Sequence, residues 1–199
     1  MLVSRKLLLS AALLAAAASI AGLGTYATYT SSTTPVSHTV SAGTVTVGLG
    51  ATGAQTNRLD IGASAIAPGD TIERSVDLVN TSSLALSSLT LTTAATASSV
   101  LDTDGTNGLQ MQIDKCSQAW TESAAPYTYT CGGTTTSVLA SRSVIGSDLT
   151  LSNVTLAAGG GTDHLHVKLT FPSASTIGQG ASSTISYQFT ATQRAATSK

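Results

Sequence analysis

The sequence predicts an all-β protein: a single antiparallel β-sandwich of jelly-roll or Greek-key type, preceded by a helical leader. Three observations carry this. Thr and Ser number 33 and 28 among 199 residues, whereas charged residues make up only 10%; that composition favours strands and turns over helices, which draw on Glu, Lys and Gln. Apolar and polar residues alternate with period two in run after run, and no useful 3.6-residue period follows residue 27. Gly, Pro, Asn and Asp clusters punctuate the runs.

The chain begins with Arg5 and Lys6, then an uncharged Leu- and Ala-rich stretch from Leu7 to Leu23. This pattern predicts a secretory signal peptide over 1–27, cleaved between Ala27 and Thr28; its apolar length is marginal for a membrane span, and an uncleaved anchor is the alternative. Residues 28–41 are polar and patternless except for Val36 and Val40, which predicts a flexible N-terminal arm. The sandwich is expected over 42–194, with a short tail at 195–199.

Within that domain, Val45, Val47 and Leu49 alternate with Thr44, Thr46 and Gly48. Ile72, Val76 and Leu78 share a face with Arg74 as the exception, and Glu73, Ser75 and Asp77 take the other. Leu84 with Leu86, and Leu89 with Leu91, give short pairs. Leu109, Met111 and Ile113 alternate with Gln110 and Gln112, and Leu149 with Leu151 makes a weaker run. Leu165, Val167, Leu169 and Phe171 alternate with His164, His166, Lys168 and Thr170, and Ile185, Tyr187, Phe189 and Ala191 with Ser186, Gln188 and Thr190. One apolar face per run suits two antiparallel sheets on a shared core. Turn signals include Pro68-Gly69-Asp70, Asp104-Gly105, Asn107-Gly108 and Gly159-Gly160-Gly161.

The predicted mature chain holds seven basic and ten acidic side chains, a net of −3, which excludes a basic nucleic-acid footprint. Cys116 and Cys131 are the two cysteines; an even count in an exported chain predicts a disulfide, and a metal pair lacks neighbouring His to complete it. His164 and His166 project from one strand face beside Asp163, the residues available to begin a metal site, but no third ligand can be named for the two imidazoles and the expectation is a solvent face shared with Lys168. Asp102, Asp104 and Asn107 offer spaced oxygens, yet Gly105 and the missing distal Glu depart from a calcium loop, so a side-chain-bonded turn is expected. Trp120, Tyr127 and Tyr129 cluster inside the cysteine loop, either as a contact surface or packed against the bridge with the tyrosines in a hairpin. Asn80-Thr-Ser82 and Asn153-Val-Thr155 spell glycosylation sequons. There is no H-E-x-x-H, G-x-S-x-G or P-loop pattern. No catalytic residue and no cofactor is expected.

Three blocks carry a resemblance. Arg5-Lys6-Leu7 through Gly24-Thr25-Tyr26-Ala27, followed by Tyr29-Thr30-Ser31 and Ala42-Gly43-Thr44-Val45, resembles the leader, arm and opening strand of the TasA/camelysin family, whose leaders are removed by a SipW-type signal peptidase. Ile66-Ala67-Pro68-Gly69-Asp70-Thr71 and Val76 to Thr81 are similar to its turn and following strand, and Ile185 to Gln193 to its last strand. The resemblance implies a bacterial protein of the cell surface or biofilm matrix with a jelly-roll fold. It also implies self-assembly into fibres, the freed arm adding as a strand to the next copy, with Val36 and Val40 as anchors and Pro35 limiting the inserted length. The expected partners are therefore other copies of the chain, the signal peptidase and other matrix or envelope proteins, with no nucleic acid and with membrane only through an uncleaved leader. Alternatives are a camelysin-like metal-dependent peptidase and a monomeric envelope-binding adhesin.

Overall fold

A strand whose every second residue is apolar needs a partner surface for that face; the two long runs around Val76 and Leu165 pair edge to edge in one sheet and find that surface in the sheet facing them. In the computed structural model, which describes residues 47–59, 65–178 and 180–195 of the unit Ala42–Lys199, the strands are β1 (Val47–Leu49), β2 (Thr71–Asn80), β3 (Leu86–Ala97), β4 (Gln110–Cys116), β5 (Thr121–Glu122), β6 (Tyr129–Thr130), β7 (Thr135–Ser143), β8 (Gly146–Thr150), β9 (Gly161–Thr170) and β10 (Thr184–Gln193), with a one-turn helix α1 (Val100–Thr103). A five-stranded sheet runs β1-β2-β9-β4-β7, a three-stranded sheet β10-β3-β8, and β5 pairs with β6 in a small hairpin. All pairings are antiparallel. The chain passes from one large sheet to the other between β2 and β3, β3 and β4, β7 and β8, β8 and β9, and β9 and β10, giving the expected β-sandwich.

Val76, Leu78, Leu89, Leu91, Met111, Ile113, Leu165 and Val167 form the centre of one apolar cluster drawn from both sheets. Fully burying such a side chain stabilises by roughly 1.5–3 kcal/mol. The Pro68-Gly69-Asp70 turn starts β2: Gly69 holds φ 102°, a backbone conformation glycine takes without strain, and the Asp70 carboxylate accepts the Ala67 N–H at 2.7 Å.

Three departures from the sequence expectation have physical causes. The two Leu pairs of 84–91 are not two strands: Leu86, Leu89 and Leu91 lie in one, and the phase slip is a bulge at Ser87, where Gln193 faces Leu86 and Thr192 faces Ser88. Strand β7 carries no apolar alternation, because only Val138 is buried in it and its pairing with β4 shifts register twice. Helix α1 is too short to show a period. It is set by capping: Ser99 Oγ accepts the Leu101 N–H, and the Asp102 carboxylate accepts the Ser99 N–H at 2.7 Å.

The predicted leader 1–27, its Ala27–Thr28 cleavage point and the arm 28–41 with Val36 and Val40 lie outside the described residues. Among those described, no helix is long and apolar enough to cross a membrane.

Candidate functional site

Two regions of the sandwich hold chemistry. The first is the outer face of the five-stranded sheet. Register places Glu73, Lys168 and Gln112 in one row across β2, β9 and β4, Ser75, His166 and Asp114 in the next, and Asp77, His164 and Cys116 in the third. His164 Nδ1 lies 2.7 Å from Asp77 Oδ1, and His166 Nε2 lies 3.4 Å from Glu73 Oε2. Asp163 points the other way, into the core, where it accepts from Lys115 Nζ at 3.0 Å and from the Thr155 N–H and hydroxyl. Asp163 therefore does not join the two histidines.

This face is roofed. Cys116 and Cys131 form a disulfide with Cα atoms 5.6 Å apart, and the loop between them carries the β5–β6 hairpin back over β9. Trp120 donates its indole N–H to the His164 carbonyl at 2.9 Å, and its ring centroid is 4.8 Å from that of His166; Tyr129 lies 5.3 Å from the same imidazole. Glu122 takes two hydrogen bonds from Arg58, at 2.7 and 3.0 Å, and one from the Tyr129 hydroxyl at 2.8 Å. The Arg58 hydrogen bond holds the Glu122 carboxyl below the usual glutamate range despite partial burial. Arg58 reaches this position because residues 50–58 run along β2, with Gly50 N–H to Asp77 O, Asp77 N–H to Thr56 O, and Arg58 N–H to Ser75 O. Gln55 also bonds the Trp120 carbonyl. Arg58 and Arg74 both stack on Tyr127, at 4.9 and 5.5 Å.

The expectation that His166 shares a solvent face with Lys168 is corrected: His166 is 8% exposed, because Trp120 and Tyr129 cover it. Trp120, also 8% exposed, faces inward and is not an open contact surface. Its ring packs on His166, and Tyr129 lies in the hairpin strand β6, as the hairpin expectation has it. Nothing local signals this roof, since it joins residues of the cysteine loop to a strand more than thirty residues later.

The second region is a cleft of about 520 Å³ at the flank of the sandwich. Ile72 and Leu169 form one wall, Ile185 and Tyr187 of β10 the other, and Leu101 and Ile66 lie between, with Arg74 and Ser183 also lining it. Burial pushes the Tyr187 phenol up to about 12. Among the described residues β10 ends its sheet, and its apolar side chains Ile185, Tyr187, Phe189 and Ala191 are only half-buried. Beside the cleft, Asp102 is held by Ser183, Ser99 and Ser98; burial favours its neutral form, but these hydrogen bonds together win and lower its pKa. Asp104 bonds the Thr106 and Asn107 N–H groups and the Asn107 side chain, so these acids serve a turn. Asn80 is buried, and its amide donates to Thr155 O and Ala157 O, a structural use of that sequon.

The sequence model of the camelysin metallo-endopeptidase family matches residues 3–198. The chain belongs to the TasA/camelysin family. The comparison with curated proteins found no match. The family's descriptive name implies a metal. Among the described residues no three His, Cys, Asp or Glu side chains gather to hold one. His164 is engaged by Asp77, His166 lies against Glu73 beneath the roof, and Asp163 lies on the opposite face. These residues do not fit a three-ligand centre.

Proposed function

We propose that this camelysin-family chain is a secreted structural protein of the bacterial cell surface or biofilm matrix, assembled by strand addition. The arm 28–41 of one copy, freed by a SipW-type signal peptidase at Ala27–Thr28, lies along β10 of the next, with Val36 and Val40 entering the cleft. The observation that supports this most is the state of β10: an end strand among the described residues, with an apolar face only half covered. An unpaired edge offers main-chain hydrogen bonds, the cleft offers apolar burial, and a head-to-tail contact that does not close propagates as a filament. Pro35 cannot donate to the ladder and confines the inserted strand to the residues after it.

The test is electron microscopy and size-exclusion chromatography of chains 28–199 and 42–199. Fibres or oligomers from the longer chain alone, with the same circular dichroism in both, are expected. Monomer in both contradicts the reading.

A metal-dependent peptidase is a second reading, favoured by the family's descriptive name alone. It requires stoichiometric metal after purification and loss of casein cleavage in the His164→Ala, His166→Ala double variant. Background metal content removes it.

A further inference from the structure

His166 is a buried titratable group that strand addition does not use. It points away from the core and from the β10 cleft, on the opposite face of the sheet. Its Nε2 is buried and, among the described residues, makes no hydrogen bond, with Glu73 Oε2 at 3.4 Å. The groups around it come from every packed element: Glu73 and Ser75 on β2, Gln112 and Asp114 on β4, and His164 and Lys168 on its own strand. The roof adds Trp120, Tyr129 and the Arg58–Glu122 pair.

We propose that His166 makes the disulfide-closed hairpin an acid-released roof. A proton on the imidazole puts a charge in the layer between the sheet and the two rings, and the roof lifts to let water reach it. Trp120 and Tyr129 then leave the sheet, uncovering the Glu73, Asp77, Asp114, His164 and His166 face. The Cys116–Cys131 bridge keeps the hairpin tethered at the end of β4.

The competing effects are in plain view. Glu73 and Asp114 favour the imidazolium, whereas burial and Lys168 oppose it. Burial is the largest, and the pKa of His166 falls below the ordinary 6.5. A histidine with a depressed folded-state pKa gives its full stabilisation above the unfolded value. That contribution is lost as pH falls from about 6.5 through the folded value. Over that window the opening equilibrium rises by up to about tenfold per pH unit for one proton.

Trp120 is the sole tryptophan of the chain, so its emission reports the roof directly. Full-length chain titrated from pH 8 to pH 5 is expected to show a red shift and greater acrylamide quenching, with a midpoint below 6.5. The His166→Phe variant keeps the rings packed and loses this transition, while His164→Gln retains it. A flat wild-type titration, or the same transition in His166→Phe, overturns the proposal. Proton NMR of the His166 ring in the wild-type chain tests it without any variant. A midpoint below 6.5 that coincides with the Trp120 change supports it, and a midpoint above 6.5 overturns it. Chain 42–199 gives the same titration if the roof acts alone, so failure of strand addition and failure of the roof are read separately.

Discussion

The two flanks of the sandwich are finished differently. On the outer face of the five-stranded sheet, a disulfide-closed hairpin and the 50–58 segment cover β2 and β9 with rings, a doubly bonded Arg58–Glu122 pair and a buried imidazole. On the β10 flank, Ile185, Tyr187, Phe189 and Ala191 are left half-covered beside a 520 Å³ cleft. The chain is poor in charge overall, yet Arg58, Glu73, Asp77, Asp114, Glu122 and Lys168 all gather at the roofed flank. The difference teaches that incomplete covering of β10 is local. The same chain closes one surface with cross-links and polar pairs, and leaves the other with an apolar strand that, among the described residues, ends its sheet, the combination that another strand completes.

Truncations sharpen the contrast most. Leu165→Ala removes a fully buried side chain from the centre and is expected to cost about 2–5 kcal/mol. Phe189→Ala on the half-covered strand is expected to cost about half that in the dilute monomer, because less surface is lost. Thermal unfolding of both reads the difference at roughly 2–4 °C per kcal/mol. Equal losses mean that β10 is as well covered as the centre and break the comparison.

Removing the bridge with Cys116→Ser and Cys131→Ser tests the roofed flank. A 15-residue separation predicts a loss of about 3 kcal/mol, measured by denaturant unfolding of oxidised wild type against the double variant. Trp120 emission should move to the red in the same variant, since its packing depends on the closed loop.

The order of burial explains what the sequence made legible. Strands β9 and β10 alternate strictly, and β2 does so but for Arg74, so all three are legible directly, as are the turn at Pro68-Gly69-Asp70 and the cysteine pair. The bulge at Ser87 shifts the phase of β3, so only half of it shows in the alternation. Strand β7 buries little beyond Val138 and leaves no alternation to see. The alternation put Glu73 and Asp77 on one polar face and His164 and His166 on another, but not that β2 and β9 pair in the register that sets them opposite. That fact belongs to tertiary structure. The burial of His166 was illegible for the same reason: its cover arrives from a loop tied to β4.

The smallest expected effect is an acid dependence confined to the roof. The folded pKa of Glu122 is depressed chiefly by Arg58, so its contribution is complete above the ordinary glutamate value of 4.5 and is lost as pH falls through the folded value. In Glu122→Gln the melting temperature should fall at pH 7 and vary less with pH below 4.5 than in wild type. An unchanged profile would show that the Arg58 pair adds nothing to the covered flank.

Amide hydrogen exchange along β10 tests strand addition most directly. In chain 28–199 at assembling concentration, the amides of β10 that do not bond β3 should become protected, and in chain 42–199 they should exchange freely at the same concentration. Equal exchange of those amides in the two chains contradicts the account.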